Sequence, residues 1–318
     1  VPEGADRSRV RTVPIAERRS RVDASLLAGR PGRDHGFAAF LESLPDQLAA
    51  RDLRTVIAGV VSAHRAGRGV VLLLGAHVVK VGLGPLVSLL LERGVATHVA
   101  LNGAAAIHDF ELAAYGGTSE DVAGGLDDGT FGMAEETGRD MNLAIADAAR
   151  DGIGMGDGLS RALAARTGLP GADASILLAA RSREVPVTVH VAVGADIIHQ
   201  HPTADGAAIG ATSLRDFDRL AGALPALDRG GAVLNWGSAV MLPEVFLKAL
   251  SVARNLGGGR PRDFLAADFD MIRHYRPTMN VVRRPTQAGG TGVQLTGHHE
   301  IMMPLVVWGV IEQLGREA

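Results

Sequence analysis

The 318-residue chain contains no cysteine. That excludes disulfides, thiolate metal sites and a cysteine nucleophile. Lysine is nearly absent too: arginine outnumbers it 30 to 2, so Lys80 and Lys248 are the only side-chain amines able to form an imine. Long hydrophobic runs are missing. The longest, Pro85–Leu91 and Met302–Ile311, are far too short to span a bilayer. A large charge of either sign is missing as well. With a net charge of −3, the chain offers no electrostatic reason to bind nucleic acid or an anionic membrane. No charged-then-apolar leader stands at Val1, so the cytoplasm is the expected compartment.

Hydrophobic residues make up 47% and charged residues 21%, the balance of a globular protein long enough to bury a large core. Four apolar runs end abruptly in small or polar residues. Val70–Leu74 runs into Gly75-Ala76-His77, and Val95–Leu101 into Asn102-Gly103-Ala104. Val187–Val193 leads to Gly194-Ala195-Asp196, and Ala232–Leu234 to Asn235-Trp236-Gly237-Ser238. A strand, a tight small-residue turn and then a helix is how an open α/β sheet builds a ligand site at its strand ends.

Periodicity extends the pattern. Apolar spacing predicts two helices between Phe37 and Ala66, divided near Asp52, and further helices at Leu83–Arg93, His108–Ala114, Ala134–Arg150, Ser175–Arg183, Leu214–Leu224, Pro243–Leu256 and Met302–Leu314. Ala266–Phe269 and Asn280–Val282 read as further strands. Strands alternating with helices predict a doubly wound α/β fold with a mainly parallel sheet. Residues 1–36, rich in arginine, read as an arm that is mobile or draped on a neighbouring subunit, and 37–318 as a single α/β domain. Glycines, acids and hydroxyls dominate 116–158, which reads as an inserted polar region near the site, with a flexible break at Gly152–Gly158.

Several residues suit chemistry. His108, with Asp109 adjacent and Glu111 nearby, forms a candidate acid–base pair, because a carboxylate holds a histidine in one tautomer or charge state. Asp205-Gly206 reads as an anchor or a simple turn. Histidines at strand ends hydrogen-bond polar ligands or carry protons, which makes His199, His201 and His298, with Glu300, candidates to bind substrate. The alternative is metal-assisted hydrolysis or isomerisation by His199, His201, His298 and His299. The acids from Glu120 to Glu136 would attract a cationic substrate, or form a solvated helix face. The first turn, Gly75-Ala76-His77 through Gly82-Leu83-Gly84, does not match the glycine trio of an ordinary nicotinamide-dinucleotide fingerprint.

Taken in order, these turns resemble the deoxyhypusine synthase family. Asn102-Gly103-Ala104-Ala105-Ala106-Ile107-His108-Asp109-Phe110 is similar to the family's T-A-G-G-V-E-E-D-F, and Pro202-Thr203-Ala204-Asp205-Gly206-Ala207-Ala208-Ile209-Gly210 to its P-x-x-T-D-G-S-x-G. The resemblance implies a Rossmann-like fold, NAD as cofactor and a homo-oligomer, by family habit a tetramer. It also implies a cofactor cradle at Gly75, Asn102, Gly103, Asp205, Gly206, Asn235 and Gly237. Two departures alter the chemistry. The family's imine-forming lysine has no counterpart in Gly237-Ser238-Ala239-Val240-Met241-Leu242, and its paired glutamates are Ile107 and His108 here. The resulting expectation is a transferase- or oxidoreductase-like enzyme acting on a small polar or cationic substrate, but not deoxyhypusine synthesis. His108, Asp109 and Lys80 are its catalytic candidates. A relative that binds a metabolite without catalysis is the other alternative.

Overall fold

A computed structural model describes residues 5–18, 24–30 and 36–315. In chain order the elements are α1 (Phe37–Ser43), α2 (Leu48–Arg65), β1 (Val70–Leu74), α3 (Ala76–Lys80), α4 (Gly84–Glu92), β2 (His98–Asn102), α5 (Gly103–Tyr115), α6 (Val122–Asp128), α7 (Glu135–Arg150), α8 (Met155–Ala164), α9 (Ile176–Ser182), β3 (Val187–His190), α10 (Gly206–Ala223), β4 (Ala232–Trp236), α11 (Met241–Leu256), β5 (Leu265–Asp270), α12 (Arg284–Thr286), β6 (Thr291–Thr296) and α13 (His299–Gly315). The six strands form one all-parallel sheet in the order β3-β2-β1-β4-β5-β6. That is the doubly wound order, with its switch point between β1 and β4.

Alternation along the strands assigns the two faces. Val70, Leu72 and Leu74 join Val99, Leu101, Leu234 and Ala267 in the larger core, which α2, α4, α5, α9 and α13 cover. Val71, Leu73, Ala100, Val233 and Ala266 face the other way, onto α11 and the C-terminal half of α10. The second face also carries polar side chains. Asn235, Asp268 and Gln294 stand opposite one another across β4, β5 and β6 and are hydrogen-bonded in sequence at 2.8 and 2.9 Å. Nearer the other edge, His98 and His190 share the Thr188 hydroxyl at 3.0 Å each. Burial holds both imidazoles neutral, lowering their pKa values to about 3 and about 4.

The outer edge of β3 is sealed by a carboxylate. Asp216 accepts hydrogen bonds from Val189 N (2.8 Å) and Gly156 N (2.9 Å), tying the strand to α8. The glycines read as a flexible break have this job instead. A Cβ on Gly154 would lie 1.8 Å from Asp216 Oδ1, and one on Gly156 would lie 2.1 Å from the Val187 carbonyl. Close packing against an edge strand explains them, and α8 begins inside the supposed break.

Other boundaries moved as well. The first two helices divide at Leu44–Gln47, where Pro45 keeps Leu44 extended, while Asp52 lies within α2. The segment around Asn280–Val282 is π-helical over Pro277–Arg283, and its apolar residues are buried against α11 and β5. The true last strand, β6, shows only two buried aliphatics, Val293 and Leu295, because it is an edge strand. β3 ends at His190; Val193 is exposed and Gly194 has φ +88°. Of the arm, residues 5–18 are exposed, and Gly29 and Leu26 pair with Ser43 and Asp46 at the junction of α1 and α2; residues 1–4, 19–23 and 31–35 lie outside the described residues. Among the described residues no helix is long and apolar enough to cross a membrane.

Asp109 makes the tightest link between helices. Its buried carboxylate accepts from Ser175 Oγ (2.8 Å), Ile176 N (2.7 Å) and Leu177 N (3.0 Å), joining α5 to the first turn of α9. Burial raises its pKa to about 6 although these donors pull the other way. Asp109→Ala strands two buried N–H groups and a hydroxyl, so urea unfolding at pH 7 is expected to show a loss of about 3 kcal/mol. Asp109→Asn, which keeps an acceptor, should lose less.

Candidate functional site

A cavity of about 700 Å³ opens at the C-terminal edge of β1, β2 and β3, within the range of small-molecule sites. One wall is a single face of α5: Ala104, Ile107, His108, Glu111 and Tyr115 recur at helical spacing. Asn102 sets that helix directly onto the end of β2, its side chain accepting the Ala105 N–H at 2.8 Å. Lys80, at the end of α3, forms a second wall. The stretch from Gly117 to Thr137 and the turn Ala195–Ile197 after β3 close the rest.

At its centre lies a hydrogen-bonded relay. Thr118 Oγ1 donates to Glu111 Oε2 at 2.5 Å, and Thr137 Oγ1 donates to Glu111 Oε1 at 2.8 Å. His108 Nδ1 stands 2.6 Å from Thr118 Oγ1. The single Thr118 proton is committed to the glutamate, so Nδ1 carries the donor proton, and in the neutral ring the lone pair resides on Nε2. Burial, reinforced by the positive charge of Lys80, lowers the His108 pKa to about 4. At neutral pH the imidazole is therefore an unprotonated base.

The wall charges are mainly negative. Glu111, Glu120, Glu136 and Asp196 line the cavity against Lys80. Glu120 accepts the Gly132 N–H at 3.0 Å and so closes the loop that carries α6. Asp196 presses its carboxylate onto Gly103, where a Cβ would lie 2.1 Å from Oδ2.

The sequence-based candidates separate into three groups. His108 and Lys80 meet in this cavity. Asp109, one residue along α5, points into the helix contact with α9 and does not partner His108; Glu111, on the same face as His108, does so through Thr118. The second group is at the strand ends. Asn102 and Asp205 cap α5 and α10, Asp205 accepting from Ala207 N and Ala208 N at 2.8 and 3.2 Å, with Gly206 open beside it. Asn235 donates to Asp268 and to the Ser238 carbonyl. The third group is the histidines. His199 Nδ1 accepts the Gly194 N–H at 3.2 Å and its Nε2 is buried without a partner. His201 pairs with Thr203 at 2.8 Å and packs on Gly138. His298 and Glu300 are exposed, 3.8 Å apart, at the start of α13. Among the described residues, no three His, Asp or Glu side chains are placed to hold a metal ion.

The turns expected to cradle a dinucleotide pack closely on other parts of the chain. A Cβ on Gly75 would lie 2.2 Å from the Gly237 carbonyl, so the turns after β1 and β4 pack on each other. Gly103 faces Asp196 in the same way. Polar groups without partners do remain near this switch point, namely Asn235 Oδ1 and both ring nitrogens of the buried His299. They would suit a polar ligand.

No family model matches the chain, and no curated protein matches it in sequence. Solved structures do resemble it. AgrE, in a ternary complex with ornithine and NAD+, aligns with a TM-score of 0.54 at 14% identity, over 87% of this chain and 35% of AgrE. A protein assigned as deoxyhypusine synthase from Entamoeba histolytica gives 0.49 at 9% identity, over 87% and 93% of the two chains. A LOR/SDH protein from Methanococcus maripaludis S2 gives 0.47 at 14%, over 92% and 74%. The shared fold rests on AgrE, of which the chain spans about a third.

Lys80→Met removes the charge that opposes protonation of His108. Imidazole NMR titration should show the His108 pKa rising from about 4 toward 6.5 without reaching it, because burial remains.

Proposed function

We propose that the chain is an enzyme performing acid–base chemistry on a small amine-bearing molecule in the cavity beside α5. The carrying observation is the His108–Thr118–Glu111 relay, set into a wall of carboxylates. Neutral His108 accepts a proton through Nε2. The imidazolium so formed keeps its Nδ1–H on Thr118, whose hydroxyl passes the orienting interaction to Glu111. The acids attract a cation, and the cavity walls shield it from water. Lys80, at the cavity wall, stands ready to pair with an anionic group of the substrate.

AgrE, which shares this fold over about a third of its length and was solved in complex with ornithine and NAD+, supports an amino compound as substrate and a nicotinamide dinucleotide as cofactor. The proton chemistry is derived from the chain's own side chains alone.

Calorimetry with NAD+ and with basic amino acids tests both halves of this reading. Amines are expected to bind more tightly than neutral analogues of the same size; equal affinity removes the cation site. No heat with millimolar NAD+ removes the cofactor. Once a substrate turns over, His108→Gln should lower kcat on the order of 10²–10⁴-fold, as expected for loss of a general base. Thr118→Val should lower it less, with KM nearly unchanged.

A further inference from the structure

The cavity holds four carboxylates; two already have hydrogen-bond partners and a third faces solvent. Glu111 accepts two hydroxyls, Glu120 accepts a backbone N–H, and Glu136 is exposed at the start of α7. Asp196 is different. It lines the cavity from the turn after β3, and its Oδ2 is buried with no hydrogen-bond partner. Asp109, Asp216 and Asp268 each accept at least two hydrogen bonds and Asp270 accepts one; Asp216 Oδ1 is also unpartnered, but its Oδ2 takes two N–H groups, whereas among the described residues nothing donates to either oxygen of Asp196. A carboxylate that lines a cavity and accepts nothing from the protein has its capacity open to a donor on a ligand.

Gly103 supplies the second observation. It is the first residue of α5, a helical position where alanine is intrinsically better than glycine, and its φ is not in the left-handed region. Backbone conformation therefore does not call for glycine. The neighbour does: a Cβ would lie 2.1, 2.4 and 2.7 Å from Asp196 Oδ2, Cγ and Oδ1. Only a missing side chain lets that carboxylate lie against the helix at the cavity wall.

We infer that Asp196 binds the cationic nitrogen of the substrate, an ammonium or guanidinium, and that Gly103 seats it. The inference rests on the reading of this cavity as a cation site and names the group that makes it one. Burial raises the Asp196 pKa to about 6, and an arriving cation would hold the carboxylate ionised. The sequence placed Asp196 only as part of a strand-end turn, since nothing local links it to Gly103.

The probes are n-butylamine, fully protonated at pH 7.5, and neutral n-butanol, titrated calorimetrically into the full chain and its variants. Wild type should prefer the amine. Asp196→Asn, nearly isosteric, should weaken amine binding at least tenfold and leave n-butanol unchanged. Gly103→Ala should do the same by displacing the carboxylate, while Glu136→Gln should have a smaller effect. Circular dichroism and thermal melts establish that each variant is folded. If wild type prefers the amine and Asp196→Asn binds it equally well, the assignment of Asp196 is wrong while the cation site stands. If wild type binds both probes alike, the cation site and Asp196 fall together.

Discussion

The orientation of α5 about its own axis is set by one buried carboxylate. Asp109 grips the first turn of α9 through three hydrogen bonds, and Asn102 fixes where the helix leaves β2. A helix advances about 100° per residue, so anchoring position 109 inward decides which neighbours turn outward together. His108 and Glu111, three residues apart, then share the cavity face. A small rotation of α5 would carry His108 away from Thr118 and close the relay. Asp109 thus reaches the cavity only through the helix it holds.

The same economy of burial shapes the electrostatics. Imidazoles withdrawn from water become neutral, and carboxylates withdrawn from water hold their protons more tightly. In the His98–Thr188–His190 and Asp216 groups internal hydrogen bonds tie neighbouring elements together, although His98 Nδ1 and Asp216 Oδ1 stay unpartnered, and the result is structural. At the cavity the same forces act on His108 and Asp196, whose capacity is not used up internally. The distinction between scaffold and site lies in whether the withdrawn group also lines an open cavity.

Much of the scaffold was legible because it rests on local signals. β1 was delimited to the residue by five apolar positions, and α7 and α11 announced themselves by period, while of α10 only the half from Leu214 was read and its cap at Asp205 passed for a turn. Misreadings arose where a residue answers to a distant neighbour. Gly154 and Gly156 looked like a hinge because their partners, Asp216 and Val187, are far away in sequence. β6 was missed because an edge strand needs few aliphatics. His108 and Lys80, candidates from sequence, both line the cavity, whereas Thr118 and Asp196 come from loops that only the fold brings near. The choice between Asp109 and Glu111 could have been made earlier, since i and i+3 share a helix face and i and i+1 do not.

Strand-end glycines carry the same lesson into the question of function. In sequence, Gly75, Gly103 and Gly237 look alike: small residues after a parallel strand, where a phosphate could approach the backbone. In the fold, each missing Cβ makes room for another part of the chain, namely the Gly237 carbonyl, the Asp196 carboxylate and the ring of His299. A glycine reports that something comes close and leaves open whether it is ligand or protein. The doubly wound sheet shared with AgrE places a crevice at the strand ends, but what that crevice does depends on its side chains. Here the open space lies along the outer face of α5, where a neutral base and a carboxylate that accepts no hydrogen bond line one cavity.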